Sequence, residues 1–221
     1  MRNTAAFITP GRRAGLSAAA ILATGLAGCS VLPQRPPPHA LTSYRITLSD
    51  THASARTSPA CPAVRIAAPT AAAGFGGPAM RYSENPGTIA NFAFHRWAAP
   101  PARMLEPILV QSVSASGLFE AVLAPDAPAG APLQLDTQLL ALLQRVTGPR
   151  STIHLAVRAS LSNVRTHRQL SAHRFVIDIP AQAANAPAGV QATDAAIGQF
   201  SHELNAWLAG LARDGQCSAR N

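Results

Sequence analysis

Leu133-Gln-Leu-Asp-Thr-Gln-Leu-Leu-Ala-Leu-Leu-Gln-Arg-Val146, Thr152-Ile-His-Leu-Ala-Val-Arg-Ala-Ser-Leu-Ser-Asn-Val164 and His167-Arg-Gln-Leu-Ser-Ala-His-Arg-Phe-Val-Ile-Asp-Ile179 follow one another with only short breaks. Apolar residues alternate in each: Leu133, Leu135, Leu139 and Leu143; then Ile153, Leu155, Val157, Ala159 and Leu161; then Phe175, Ile177 and Ile179. Successive side chains on a strand point to opposite faces, so a period of two buries one face and leaves His154, Arg158 and Ser160 on the other. No segment between these stretches is long enough for a crossover, which predicts an antiparallel meander.

The meander is flanked by helical patterns. Downstream, Ala196, Ile197, Phe200, Leu204, Trp207, Leu208 and Leu211 make one apolar stripe over Val190–Arg213, opposite Gln199, Glu203 and Arg213. The Ala-rich stretch 181–196 leaves the entry into that helix undefined. Upstream, 125–132 reads as a loop and Leu118–Leu123 as a short strand. Pro100-Pro101 opens a second helix, with Met104, Leu105, Ile108, Leu109, Ser112 and Val113 at three-to-four spacing and Gly117 as its stop. Pro107 lies inside it and predicts a kink or a late start.

Extended segments precede this helix at Tyr44–Leu48, Ala63–Ala67, Met80–Ser83 and Thr88–Trp97. Gly74-Phe-Gly-Gly-Pro78 and Glu84-Asn-Pro-Gly87 mark turns, and Ile89, Phe92 and Phe94 are expected to point inward. The expected fold is a single α/β domain. Its sheet is mixed but mainly antiparallel, packed by two main helices as a two- or three-layer sandwich.

The first 28 residues read differently. Arg2, Arg12 and Arg13 precede an uncharged apolar run from Ala14 to Ala27, and no acid occurs before Asp50. A run of roughly 14 residues spans only about 21 Å as a helix, short of a ~30 Å hydrocarbon core. It fits the apolar region of an export signal. The run ends in Leu26-Ala-Gly-Cys29, the pattern of a bacterial lipobox. Residues 1–28 are therefore expected to be a lipoprotein signal, cleaved between Gly28 and Cys29, with lipid on the Cys29 thiol. Arg12-Arg13 is followed by Ala14-Gly-Leu16, a poor twin-arginine context, so ordinary secretion is preferred. Residues 29–43 then carry Pro33, Pro36, Pro37 and Pro38 and read as a stiff tether, about 40 Å long at ~3.1 Å per residue. The folded domain is expected over 44–221.

Removing 28 of 221 residues leaves enough chain for one domain with a core. All 18 basic residues are arginine. Three lie in the signal, and against 10 acids the remainder carries +5. An exported chain with no arginine cluster interleaved with aromatics is not a nucleic-acid binder. Attraction to anionic lipid or an acidic partner, or simple solvation, accounts for the charge. With Cys29 acylated, Cys61 and Cys217 remain at opposite ends of the domain. In an oxidising compartment they are candidates for a disulfide, worth roughly 4–5 kcal/mol in the chain-entropy model; the alternative is two free thiols.

Catalytic patterns are missing from the chain. There is no Gly-x-Ser-x-Gly elbow, no P-loop and no His-Glu-x-x-His; His202-Glu203 lacks the second histidine. Gly74-Phe-Gly-Gly77 runs into Pro78 rather than a helix N-terminus, so it is no phosphate cradle. Asp50, His52 and Ser54 cluster only in sequence, and the histidines have no metal-ligand spacing. No enzyme activity, cofactor or metal is expected.

Three segments carry a resemblance: Ala73-Gly-Phe-Gly-Gly-Pro-Ala-Met-Arg-Tyr-Ser83, Ile89-Ala-Asn-Phe-Ala-Phe-His-Arg-Trp-Ala-Ala-Pro-Pro101, and Ser116-Gly-Leu-Phe-Glu-Ala-Val122. With Met104-Leu105, the lipobox and the terminal Trp-Leu helix, their order resembles the ABC-type transport auxiliary lipoproteins, the family that includes PqiC. The resemblance spans about Tyr44 to Leu211. It implies a non-catalytic lipoprotein held under the outer membrane and facing the periplasm. The implied partners are an Mce-domain protein with its ABC permease and ATPase, and the implied cargo is phospholipid or another hydrophobic molecule. A homo-oligomer is also expected, and a partner surface around Arg81, Tyr82, His95, Arg96 and Trp97. The competing expectation is an outer-membrane lipoprotein that activates a cell-wall synthase, which should need a longer tether.

Overall fold

The three alternating stretches are the longest strands of a computed structural model of the chain, which describes residues 40–48 and 58–217. Nine strands and two helices run in the order β1 (Thr42–Tyr44), β2 (Val64–Ile66), β3 (Thr70–Ala71), β4 (Ala79–Ser83), β5 (Ala90–Trp97), α1 (Pro101–Ala115), β6 (Val122–Leu123), β7 (Leu133–Thr147), β8 (Arg150–Asn163), β9 (Arg168–Ala181) and α2 (Ala186–Arg213). Antiparallel β7–β8 and β8–β9 ladders form the meander, in register from Leu133↔Asn163 to Thr147↔Arg150 and from Ser151↔Ala181 to Asn163↔Arg168.

On its other side β7 is flanked by three short parallel neighbours in turn: β2 at Leu133–Leu135, β3 at Gln138–Leu139 and β4 at Gln144–Arg145. Strand β6 extends β2, and β5 then β1 extend β4. The sheet is thus mixed: its long ladders are antiparallel and its parallel pairings are only two or three residues long. Asn205 of α2 donates to the Ser112 carbonyl and hydroxyl of α1 (3.1 and 3.0 Å), so both helices lie on one face. The sandwich has two layers. Its core joins Ile153, Leu155, Val157 and Leu161 of β8 to Phe175 and Ile177 of β9 and to Ile197, Phe200 and Leu204 of α2.

Several local expectations are corrected. In β7 the register shifts between Leu139 and Ala141, so Leu142 and Gln144 turn inward and Leu143 is only half-buried. Ile89, just before β5, and Phe94 within it are not inward: they are 50% and 45% exposed. The β4–β5 pairing jumps from Ala79↔Arg96 to Arg81↔Asn91, and that bulge breaks the period of two. The first strand is Thr42–Tyr44, beginning two residues inside the stretch assigned to the tether, and not Tyr44–Leu48; it ends where its partner β5 ends, at Tyr44↔Trp97. Ile46 is nonetheless buried, and Thr47 is held by Asp194 of α2, which accepts from its N–H and its hydroxyl (2.9 and 2.7 Å). Of Leu118–Leu123 only Val122–Leu123 is a strand, with Phe119 in a single bridge to Cys61.

Helix α1 starts where its proline pair places it, and helix α2 starts early. Helix α1 begins at Pro101, so there is no late start. It runs through Pro107, which is exposed and has no N–H to offer the Arg103 carbonyl one turn back. Helix α2 begins four residues before Val190, because Asn185 caps it by accepting from the Ala188 N–H (3.0 Å) and Pro187 suits its first turn. Its last turn leads to Cys217, bonded to Cys61 with the Cα atoms 5.5 Å apart.

Candidate partner-binding surface

Strands β4, β5 and β1 lie side by side at one end of the sheet and carry a row of rings. Tyr82 lies 4.9 Å from Phe92 between ring centroids, Phe92 lies 6.2 Å edge-on from His95, and His95 lies 5.8 Å from Tyr44. The Tyr44 hydroxyl is 3.3 Å from His95 Nδ1. All four side chains are half-buried. Aromatic rings with one apolar face and a polar handle suit a protein contact that is partly wet. Arg81 sets its guanidinium 5.6 Å from the centre of the Phe75 ring, a cation–π contact supplied by the glycine turn. Exposed Arg96 donates from Nε to the Ser43 hydroxyl (3.2 Å), tying β5 to β1.

Of the five residues expected at a partner surface, Tyr82 and His95 lie in this row, whereas Arg81 and Arg96 are their neighbours along β4 and β5 and so project from the opposite face of those strands. Trp97 is not available. It is 3% exposed, because it is the residue at which β5 returns to the inward phase after its bulge. Met80 is likewise core. Tyr44 and Phe75 join the surface without having been singled out. The parallel β1–β5 pairing that delivers Tyr44 spans about fifty residues and leaves no local pattern.

Beside the row is an open groove of about 510 Å³, formed by the β4–β5 turn (Glu84–Ile89) and the end of β7 (Arg145–Thr147). A separate small recess of about 10 Å³, room for one water-sized sphere, is lined by Arg81 and Gln144 among others. The buried Arg81 Nε and Gln144 Oε1 have no protein hydrogen-bond partner among the described residues. Among those residues no three His, Cys, Asp or Glu side chains gather as a metal site, and no helix is long and apolar enough to cross a membrane. Gly28 and Cys29, like Asp50, His52 and Ser54, lie outside the described residues.

The model of the ABC-type transport auxiliary lipoprotein component matches residues 44–205. The chain belongs to this family. The ring row from Tyr44 to His95, the meander and most of α2 fall inside the matched span. Among solved structures the auxiliary lipoprotein is similar to protein XCC0632 from Xanthomonas campestris, of the DUF330 family. The identity is 22%, over 79% of this chain and 99% of that one, with a TM-score of 0.68. It is also similar to an uncharacterized protein at 14% identity, over 76% and 99% of the two chains, with a TM-score of 0.60. At such identities these likenesses establish the fold alone. A comparison with curated proteins finds no match. The auxiliary lipoprotein is a component of ABC-type transport, and its family points to a membrane-anchored place in the periplasm and a non-enzymatic part in transport.

Proposed function

We propose that the chain is the outer-membrane lipoprotein of an Mce-type ABC system that moves phospholipid between the inner and outer membranes. The family match over residues 44–205 carries the reading. The lipobox at Leu26–Cys29 supports an anchor on Cys29 after cleavage behind Gly28. Ser30 follows that cysteine, where an Asp would retain the protein in the inner membrane of many Gram-negative bacteria, so the anchor is assigned to the outer membrane. The protein docks without chemistry: the rim of β4, β5 and β1, with the row Tyr82, Phe92, His95 and Tyr44 on one side and Arg81 and Arg96 on the other, contacts the Mce-domain protein, which joins the permease and ATPase.

The test is crosslinking followed by purification from detergent-solubilised membranes. The Mce-domain protein should copurify, and Tyr82→Ala with Arg96→Glu should reduce its recovery about tenfold or more at unchanged protein level, the effect of truncating contacts worth ~1.4 kcal/mol. Fractionation should place the protein with outer membrane, and Cys29→Ala should release it or stop its maturation. Recovery of no transporter component, together with unchanged tolerance of membrane stress on deletion, would replace this reading with activation of a cell-wall synthase.

A further inference from the structure

Strand β9 pairs only with β8 among the described residues, so its second edge is an open row of backbone donors and acceptors along a 14-residue strand. Proteins guard such edges with lysines, central prolines or bulges. This chain has no lysine, the only proline of β9 is Pro180 near its end, and the one register shift in the β8–β9 ladder lies at Leu161/Ser162, away from its centre. On the face away from the helices Val176 is 50% exposed. Beside it Arg174 stands directly across from Arg158, both exposed, and neither has an acid within ion-pair distance among the described residues. Like charges directly opposite each other are unfavourable, so this row calls for an acid on its open side.

Asp178, on the same face and four residues on, is 47% exposed; its ion pairs with His154 Nδ1 (2.7 Å) and Arg145 Nη1 (3.4 Å) both use Oδ1. We infer that β9 is an interface with a second copy of this chain. The two β9 edges run antiparallel about a two-fold axis at Val176. That register sets Arg174 opposite Asp178 of the second copy, Asp178 opposite its Arg174, and Val176 against Val176. On the helix face it sets exposed His173, stacked on Trp207 at 6.3 Å, beside half-buried Ile179 of the second copy. The charge pattern is self-complementary in this register, which is what an isologous contact demands. Each three-stranded meander thereby becomes half of a six-stranded one.

Val176 lies on the axis, so Val176→Cys places two thiols across an antiparallel pair, where Cα atoms sit about 4.5–5.5 Å apart, within disulfide reach. The full-length protein carrying Val176→Cys, exported in cells, should run as a covalent dimer on a non-reducing gel. Ala172→Cys should not, because in this register its two copies are eight residues apart along the strands. Adding Arg174→Asp or Asp178→Arg to Val176→Cys should each lower the dimer yield about fivefold at equal protein level, and both together should restore it. The proposal is overturned if Val176→Cys yields no more dimer than Ala172→Cys. Failure of the double charge swap to restore the dimer, or crosslinking of Val176→Cys to a different protein, also overturns it.

Discussion

At the scale of single residues, Gly189 shows how the meander and α2 are fitted. A Cβ built there falls 2.4 Å from Gln144 Oε1. Gln144 has little freedom to retreat: it is buried, and its Nε2 donates to the Ser151 hydroxyl (2.7 Å) and the Ala183 carbonyl (3.2 Å). Gly→Ala inside a helix ordinarily adds about 1 kcal/mol of stability. Here the clash outweighs it, and Gly189→Ala should lower stability by about 1–3 kcal/mol, read as a lower urea midpoint. A raised midpoint would mean that the Gln144 contact is absent. The same glutamine is an inward polar residue in an otherwise leucine-rich strand, and only the shift at Leu139/Ala141 puts it there.

At the scale of elements, each helix begins where backbone chemistry allows. Asn185→Ala removes the α2 cap and should cost ~1 kcal/mol, measured by the same urea titration, with Asn185→Asp close to the parent. The cap explains why the apolar stripe alone predicted too late a start. Residues 186–189 are small and show no amphipathic period, although Ala186, Ala188 and Gly189 are buried. Periodicity made β8, β9 and the body of both helices legible, since each has a mainly apolar inward face. It failed at β5 and in the middle of β7, where a bulge changes phase without changing composition. The partner surface was half legible. Arg81, Tyr82, His95 and Arg96 stood out as polar and aromatic residues in short strands, whereas the fate of Trp97 depended on a bulge no local pattern records.

At the scale of the whole molecule, the bond between Cys61 and Cys217 closes a loop of sequence separation 156 that contains every strand but β1, and both helices. Cross-linking so long a loop restricts mainly the unfolded chain. Cys217→Ser with Cys61→Ser should therefore cost about 2–5 kcal/mol in chemical denaturation, while peptide mapping of the exported protein without reduction should recover the two cysteines as one linked pair. Two thiols fully open to alkylation would contradict this.

The closed loop also decides how the protein bears load. A pull applied between the two chain termini travels along the backbone from each end until it meets the sulfur bridge, and there the two paths join. Once β1 has parted from β5 and Thr47 from Asp194, the long ladders and the helices hang off that junction and carry no tension. Stretching an oxidised molecule by its ends in a force spectrometer should lengthen only the segments outside 61–217. After reduction the same pull should reach the β7–β8–β9 sheet and release on the order of 500 Å more contour length, at ~3.4 Å for each residue of the opened loop. A chain held at one end and pulled at the other would thereby be tugged without its long ladders being unravelled.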